Sequence, residues 1–201
     1  MKKNPLLMLV LAVAISACNS RPVKAPSVSN TSVSYTIPDE DKIKRLTQTS
    51  DKTCWAAVGT MMWTWKYRQP IDIATMLGRL NNPTFLTYYN NDSAINSQQK
   101  VDFLKSMSLR YEFSSTFSPS YLLNKLQAFG PLWVTTNEGP DGSFSLVHAR
   151  ICYGISGNGT SAGTTILLID PGNGQNVVES FDDFISKYQN ASGIDIQMVH
   201  W

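Results

Sequence analysis

The chain's apolar and polar positions change period part-way along its length. Over residues 54–68, Trp55, Val58, Met62 and Trp65 recur at helical spacing, with Ala57 and Met61 beside them. Apolar side chains cover most of the circumference, so this helix is expected to be buried and central. Thr53 or Asp51 is placed to cap its start, and Pro70 to end it. A short helix is expected over 72–80. A third, over 97–107, puts Val101, Leu104 and Met107 on one face. Ser118-Pro119 sets a capping residue before a first-turn proline. It opens a helix with Tyr121, Leu122, Leu126 and Phe129 as its apolar side, which Gly130-Pro131 ends. Beyond that point the runs shorten to strand length. Strands are expected over 132–136, 146–155 and 164–170, with a glycine-rich loop over 137–143 and a hairpin connection at Gly157-Asn158-Gly159. Pro171-Gly172-Asn173-Gly174 reads as a turn, 181–188 as a helix and 194–199 as a last strand. Helices first and antiparallel strands later make the fold class α+β.

The first residues follow a different logic. Lys2 and Lys3 precede an apolar run of ten residues, 6–15, too short for the roughly 20 that span a bilayer. The run closes on Ile15-Ser16-Ala17-Cys18, which resembles the bacterial lipobox. That resemblance implies a signal peptide over 1–17 and a lipid on Cys18. Asn19, in place of the aspartate that retains lipoproteins in the inner membrane of enteric bacteria, points to the outer membrane of a diderm host. Residues 18–36 are rich in Ser, Pro, Val and Asn without a period and read as a flexible tether, with a reach of roughly 20–25 Å. The expected location is the bacterial envelope, with membrane contact through the lipid alone. Residues 37–201 are left as a single domain with one core.

Composition narrows the function. The 201 residues carry 17 Lys+Arg and 15 Asp+Glu. Losing Lys2 and Lys3 leaves the mature chain neutral, which argues against nucleic acid as a partner. Five Trp, eight Tyr and eight Phe suffice for a packed core. Three cysteines, Cys18, Cys54 and Cys152, are too few for a disulfide scaffold. No metal-ligand spacing, phosphate loop or dinucleotide fingerprint occurs, so no cofactor is expected. A monomer is expected.

Cys54 opens the most buried helix. A helix N-terminus carries partial positive charge and unpaired N–H groups, both of which favour a thiolate. His148 lies on a strand after the glycine-rich loop and is the candidate base. Asp170 ends the next strand, where it can orient an imidazole. Gln48, six residues before Cys54, can aim an amide donor beside the sulfur and form an oxyanion hole with the Cys54 N–H. Each residue also has a plainer reading. A lone cysteine on an apolar helix is more often structural, and Asp170 could simply open an Asp-Pro-Gly turn. His200 reads as structural, and Trp63 and Trp65 as core. Cys152, four strand residues from His148, is roughly 13 Å along and reads as a buried small apolar residue rather than a disulfide partner of Cys54.

Taken together, Gln48-x5-Cys54-Trp55-Ala56-Ala57, His148-Ala149 and Ile169-Asp170-Pro171-Gly172 resemble papain-like cysteine peptidases. The bacterial double-glycine leader-processing peptidases and the plant-pathogen effector peptidases are the nearest branches. The resemblance spans about residues 43–190. It implies a lobe of helices, a lobe of antiparallel strands and a cleft between them. It also implies Cys54 as nucleophile, His148 as acid/base, Asp170 as orienting residue and Gln48 as oxyanion donor, acting on a peptide or protein substrate. Thr53 departs from the Gly or Ser that many relatives carry beside the cysteine. Alternatives are a transglutaminase or amidase of the same clan, or a silent peptide-binding pseudoenzyme.

Overall fold

A computed structural model describes residues 32–113, 116–139, 146–193 and 195–201. The expected signal peptide, Cys18 and most of the tether lie outside the described residues, as do residues 140–145 of the glycine-rich loop.

The architecture is α+β, with helices packed on an antiparallel sheet. Strand β1 (Val33–Thr36) comes first, then α1 (Cys54–Tyr67), α2 (Ile73–Gly78), α3 (Thr84–Asn90) and α4 (Ser97–Ser106). After β2 (Arg110–Glu112) and α5 (Pro119–Phe129) the sheet is completed by β3 (Leu132–Asn137), β4 (Val147–Gly157), β5 (Thr164–Asp170), β6 (Gln175–Ser180) and β7 (Met198–His200). Helix α6 (Phe181–Asn190) lies between the last two strands. The strand order is β2-β7-β3-β4-β5-β6, all antiparallel. The first half of β4 pairs with β3, and its second half with β1.

That last pairing shortens the tether. Val33–Thr36 lies inside the segment expected to be flexible, yet it is a strand with Val33 buried. Short alternating segments such as Val-Ser-Tyr-Thr carry too little pattern to be distinguished from a polar linker.

Helix α1 fills the middle of the molecule as its pattern predicts, with Trp55 through Met62 all buried. Gly59 lets α4 approach: a Cβ there would sit 2.7 Å from the Phe103 ring. The capping expectation fails. Thr53 occupies the cap position, but its hydroxyl donates back to Ser50 O at 3.1 Å. The far end is stopped by Arg68 in the left-handed region, two residues before Pro70. Trp63 and Trp65 are only partly buried, with Arg79 and Arg68 lying over their rings. Ser118 caps α5 by accepting from Tyr121 N–H at 3.2 Å. Gly130 ends it at φ +80°, where any Cβ would enter the Trp65 ring.

Helix α4 corrects another expectation. Its buried face is Lys100, Phe103, Leu104 and Met107, whereas Val101 is only partly covered. A lysine therefore occupies a core position. Asn96 caps this helix reciprocally with Gln99. The last strand is also shorter and later than expected, covering Met198–His200, and Ile194 lies outside the described residues.

Candidate active site

Three elements meet at one end of the sheet. Cys54 is the first residue of α1, His148 the second of β4 and Asp170 the last of β5. Ile151 pairs with Ile169, so Asp170 is a diagonal, same-face neighbour of His148 across the ladder. The result is a 2.8 Å hydrogen bond in which His148 Nε2–H donates to Asp170 Oδ1. That leaves Nδ1 for the thiol, and His148 and Cys54 are hydrogen-bonded to one another.

The electrostatics follow from this placement. Burial works to lower the His148 pKa, but hydrogen bonds to Asp170 and the Cys54 sulfur, with their charges, raise it from 6.5 to about 9. Burial works to raise the Cys54 thiol. The His148 hydrogen bond and charge, helped by the Ala149 backbone, outweigh it and bring the thiol below its ordinary value. Asp170 is held below the usual carboxylate range by its bond to His148, against burial, with help from the Gly172 N–H. The two shifts run in opposite directions, each favouring a thiolate beside an imidazolium.

Asp170 fills the turn role as well. Its Oδ1 accepts from Gly172 N–H at 2.7 Å, and its carbonyl from Gly174 N–H at 2.8 Å. The same oxygen thus receives both the imidazole and the turn amide, so the turn fixes the carboxylate that orients the histidine.

Gln48 is tied to that turn through its backbone, whose N–H donates to Pro171 O at 2.7 Å. Its side-chain Nε2 donates to Ser50 O at 2.8 Å, and its buried Oε1 has no partner among the described residues. Ser50 also bonds Asp92, which accepts from Lys52 N–H. Trp55 Nε1 donates to Ser93 O at 3.1 Å. The loop before the cysteine is therefore clamped by the segment after α3.

Between the helices and the sheet runs a cleft of about 320 Å³ whose lining includes Cys54, Trp55, Ile95, Trp133, His148 and Ala149. Cys152 is remote from this chemistry. It is free, fully buried, and pushed up to about 12 by burial. His200 stacks on Phe129 and meets Glu112 at the opposite edge of the sheet. No group of His, Cys, Asp and Glu among the described residues could hold a metal ion.

A family model described as papain-like cysteine protease AvrRpt2 matches residues 31–189. The chain belongs to this family. No curated protein matches it. Among solved structures, the crystal structure of UfSP from C. elegans is similar at a TM-score of 0.43 and 14% identity, over 75% of this chain and 29% of that one. This chain thus spans less than a third of that chain's length.

One residue of the cleft was not anticipated. Lys100 lines it, 2% exposed, with its ammonium 2.7 Å from Asp195 Oδ2. The signal was present in the spacing 100, 103, 104, 107, which puts the lysine on the apolar stripe. A long cationic side chain on such a stripe normally snorkels to water, so the pattern alone does not reveal a buried charge.

Proposed function

We propose that this peptidase cleaves peptide bonds through Cys54, His148 and Asp170, and works at a membrane to which lipidated Cys18 ties it. The observation that carries the catalytic reading is His148, hydrogen-bonded to Asp170 on one side and to Cys54 on the other. Cys54 stands at the start of a buried helix, and both Cys54 and His148 line an open cleft.

The Cys54 thiolate attacks the scissile carbonyl carbon, and the carbonyl π electrons move onto oxygen. The Cys54 N–H, free within the first helical turn, and the second Nε2–H of Gln48 stabilise that oxyanion. The Ser50 bond uses only one of the two amide hydrogens of Gln48. The His148 imidazolium then gives its proton to the departing amine as the C–N bond breaks, leaving a thioester. Neutral His148 takes a proton from water, whose oxygen attacks the thioester. Collapse returns the thiolate and the imidazolium. Asp170 keeps the Nε2–H tautomer throughout and offsets the imidazolium charge.

A peptide library incubated with the wild-type chain and with Cys54→Ala tests this reading. Cleavage by wild type and none by the variant is expected; equal cleavage by both overturns it. The anchor rests on the lipobox-like Ile15-Ser16-Ala17-Cys18. Incorporation of a palmitate analogue that Cys18→Ser abolishes is expected, and incorporation unchanged by that substitution refutes the anchor.

A further inference from the structure

The cleft contains a charge that the cysteine–histidine chemistry does not use. Lys100 projects from α4, on the helical side, and ends among atoms of the sheet side. Its Nζ donates to Thr135 Oγ1 on β3 at 2.9 Å, to Asp195 Oδ2 at 2.7 Å and to the Ile196 carbonyl at 2.7 Å. Those three bonds satisfy all three ammonium donors. The ammonium also lies 4.8 Å from the centre of the Trp133 ring, and Trp133 Nε1 donates to the same Thr135 oxygen. The group is therefore fixed in position, and Lys100 lines the same cleft as Cys54.

Stability alone does not account for it. A buried ion pair is on average no more stabilising than an apolar side chain of similar volume. The site is already lined by Trp133, against which a methionine would pack. What the lysine adds is charge, beside a nucleophile that must ionise.

We propose that Lys100 is a positioning residue for the nucleophile, a fixed positive charge held at the cleft wall by Thr135, Asp195 and Ile196 that favours the Cys54 thiolate independently of His148. The inference rests on the reading of Cys54 as the nucleophile. Among the described residues, the charged groups that line the cleft with Cys54 are His148 from the sheet, with Asp170 bonded behind it, Lys100 from α4 and Asp195 from the connection into β7. Asp51 and Lys52 come from the cysteine's own loop, both exposed and opposite in sign. Burial draws the Lys100 ammonium below its ordinary value. The charge and hydrogen bond of Asp195 oppose that, and so does the charge of the thiolate itself. The favour is mutual: each of the two groups stabilises the charged form of the other.

The test is the pH dependence of Cys54 alkylation by iodoacetamide, followed by mass spectrometry on the full chain. Neutralising the charge in Lys100→Met moves the midpoint to higher pH by roughly 0.5–1. Lys100→Gln, which keeps a hydrogen-bond donor, moves it the same way and serves if the methionine variant does not fold. Lys100→Arg restores the wild-type midpoint. Thr135→Val removes a hydrogen bond from the ammonium but leaves its charge, and leaves the midpoint in place. An unchanged midpoint in both neutral variants, failure of arginine to restore it, or an equal shift in Thr135→Val overturns the proposal. A wild-type midpoint at the ordinary thiol value instead overturns the reading of Cys54 itself, so the two failures are told apart.

Discussion

Replacing Asp170 with asparagine removes a charge and almost no volume. An asparagine has two ways to face the imidazole, and only the one with its oxygen toward Nε2–H keeps the productive tautomer. The structure selects that one. The oxygen bonded to His148 at 2.8 Å also accepts from Gly172 N–H at 2.7 Å. Turning the amide over would aim its NH2 at both donors. The variant therefore loses only the charge on the acceptor. A charge-assisted hydrogen bond contributes about 1.5–3 kcal/mol and a neutral one about 0.5–1.5, so the imidazolium loses roughly 1–1.5 kcal/mol. That is about one pH unit of His148 titration, bringing its midpoint from about 9 to roughly 8. Asp170→Ala removes the acceptor altogether, orphans the Gly172 N–H and takes His148 lower still. With His200 the only other histidine, a proton NMR titration of the full chain reads both variants directly. Peptide cleavage should fall about tenfold in Asp170→Asn and much further in Asp170→Ala. Equal losses in the two variants, or the same His148 midpoint in both, would show that the turn amide does not hold the acceptor in place.

The other predictions concern the scaffold. Arg150, two residues after His148 on β4, is 4% exposed and bonds Glu179 at 2.8 Å, itself 8% exposed. Arg150→Met removes one of the two cations on that carboxylate, which keeps Lys187, and should lower unfolding stability in urea by about 1.5–3 kcal/mol; unchanged stability would mean the network is not structural. Gly59→Ala drives a methyl into Phe103 and should lower stability by about 1–3 kcal/mol, read as a drop in Tm; an unchanged Tm would show that α4 yields freely. Cys152, with its thiol near 12, should resist alkylation in the folded chain at any pH below 10 and label only on unfolding. Labelling of Cys152 in the native chain would refute its burial. The raised His148 value stabilises the folded state fully below pH 6.5, and that contribution disappears as pH rises through about 9. Stability that failed to decline over this window in wild type relative to His148→Ala would contradict the assignment.

The elements that position the site were legible because each carries a strong local signal. Helix α1 shows it in its dense apolar run, α5 in Ser118-Pro119 and Gly130, and β4 and β5 in near-continuous apolar runs. The order Cys54, His148, Asp170 could be read off, and the ladder then made His148 and Asp170 same-face neighbours. What escaped depends on tertiary contact. Helix α3, Thr-Phe-Leu-Thr-Tyr-Tyr-Asn, is rich in β-branched and aromatic residues that favour strands. It is helical because Phe85 packs edge-on against Phe103 and Trp55. Strand β6 is mostly polar with Val178 exposed, so its period gave no apolar face to detect. The charge of Lys100 in the cleft depends on Thr135 and Asp195, which are distant in sequence. No window of residues shows those three together.

The central claim is that Cys54 is ionised by its neighbours, and the most direct measurement is its alkylation rate against pH in the wild-type chain and in His148→Ala. Rapid labelling of Cys54 at pH 5–6, lost in His148→Ala, is the result the thiolate–imidazolium pair predicts. Labelling that begins only above pH 8 in the wild type, with the same profile in the variant, would contradict it.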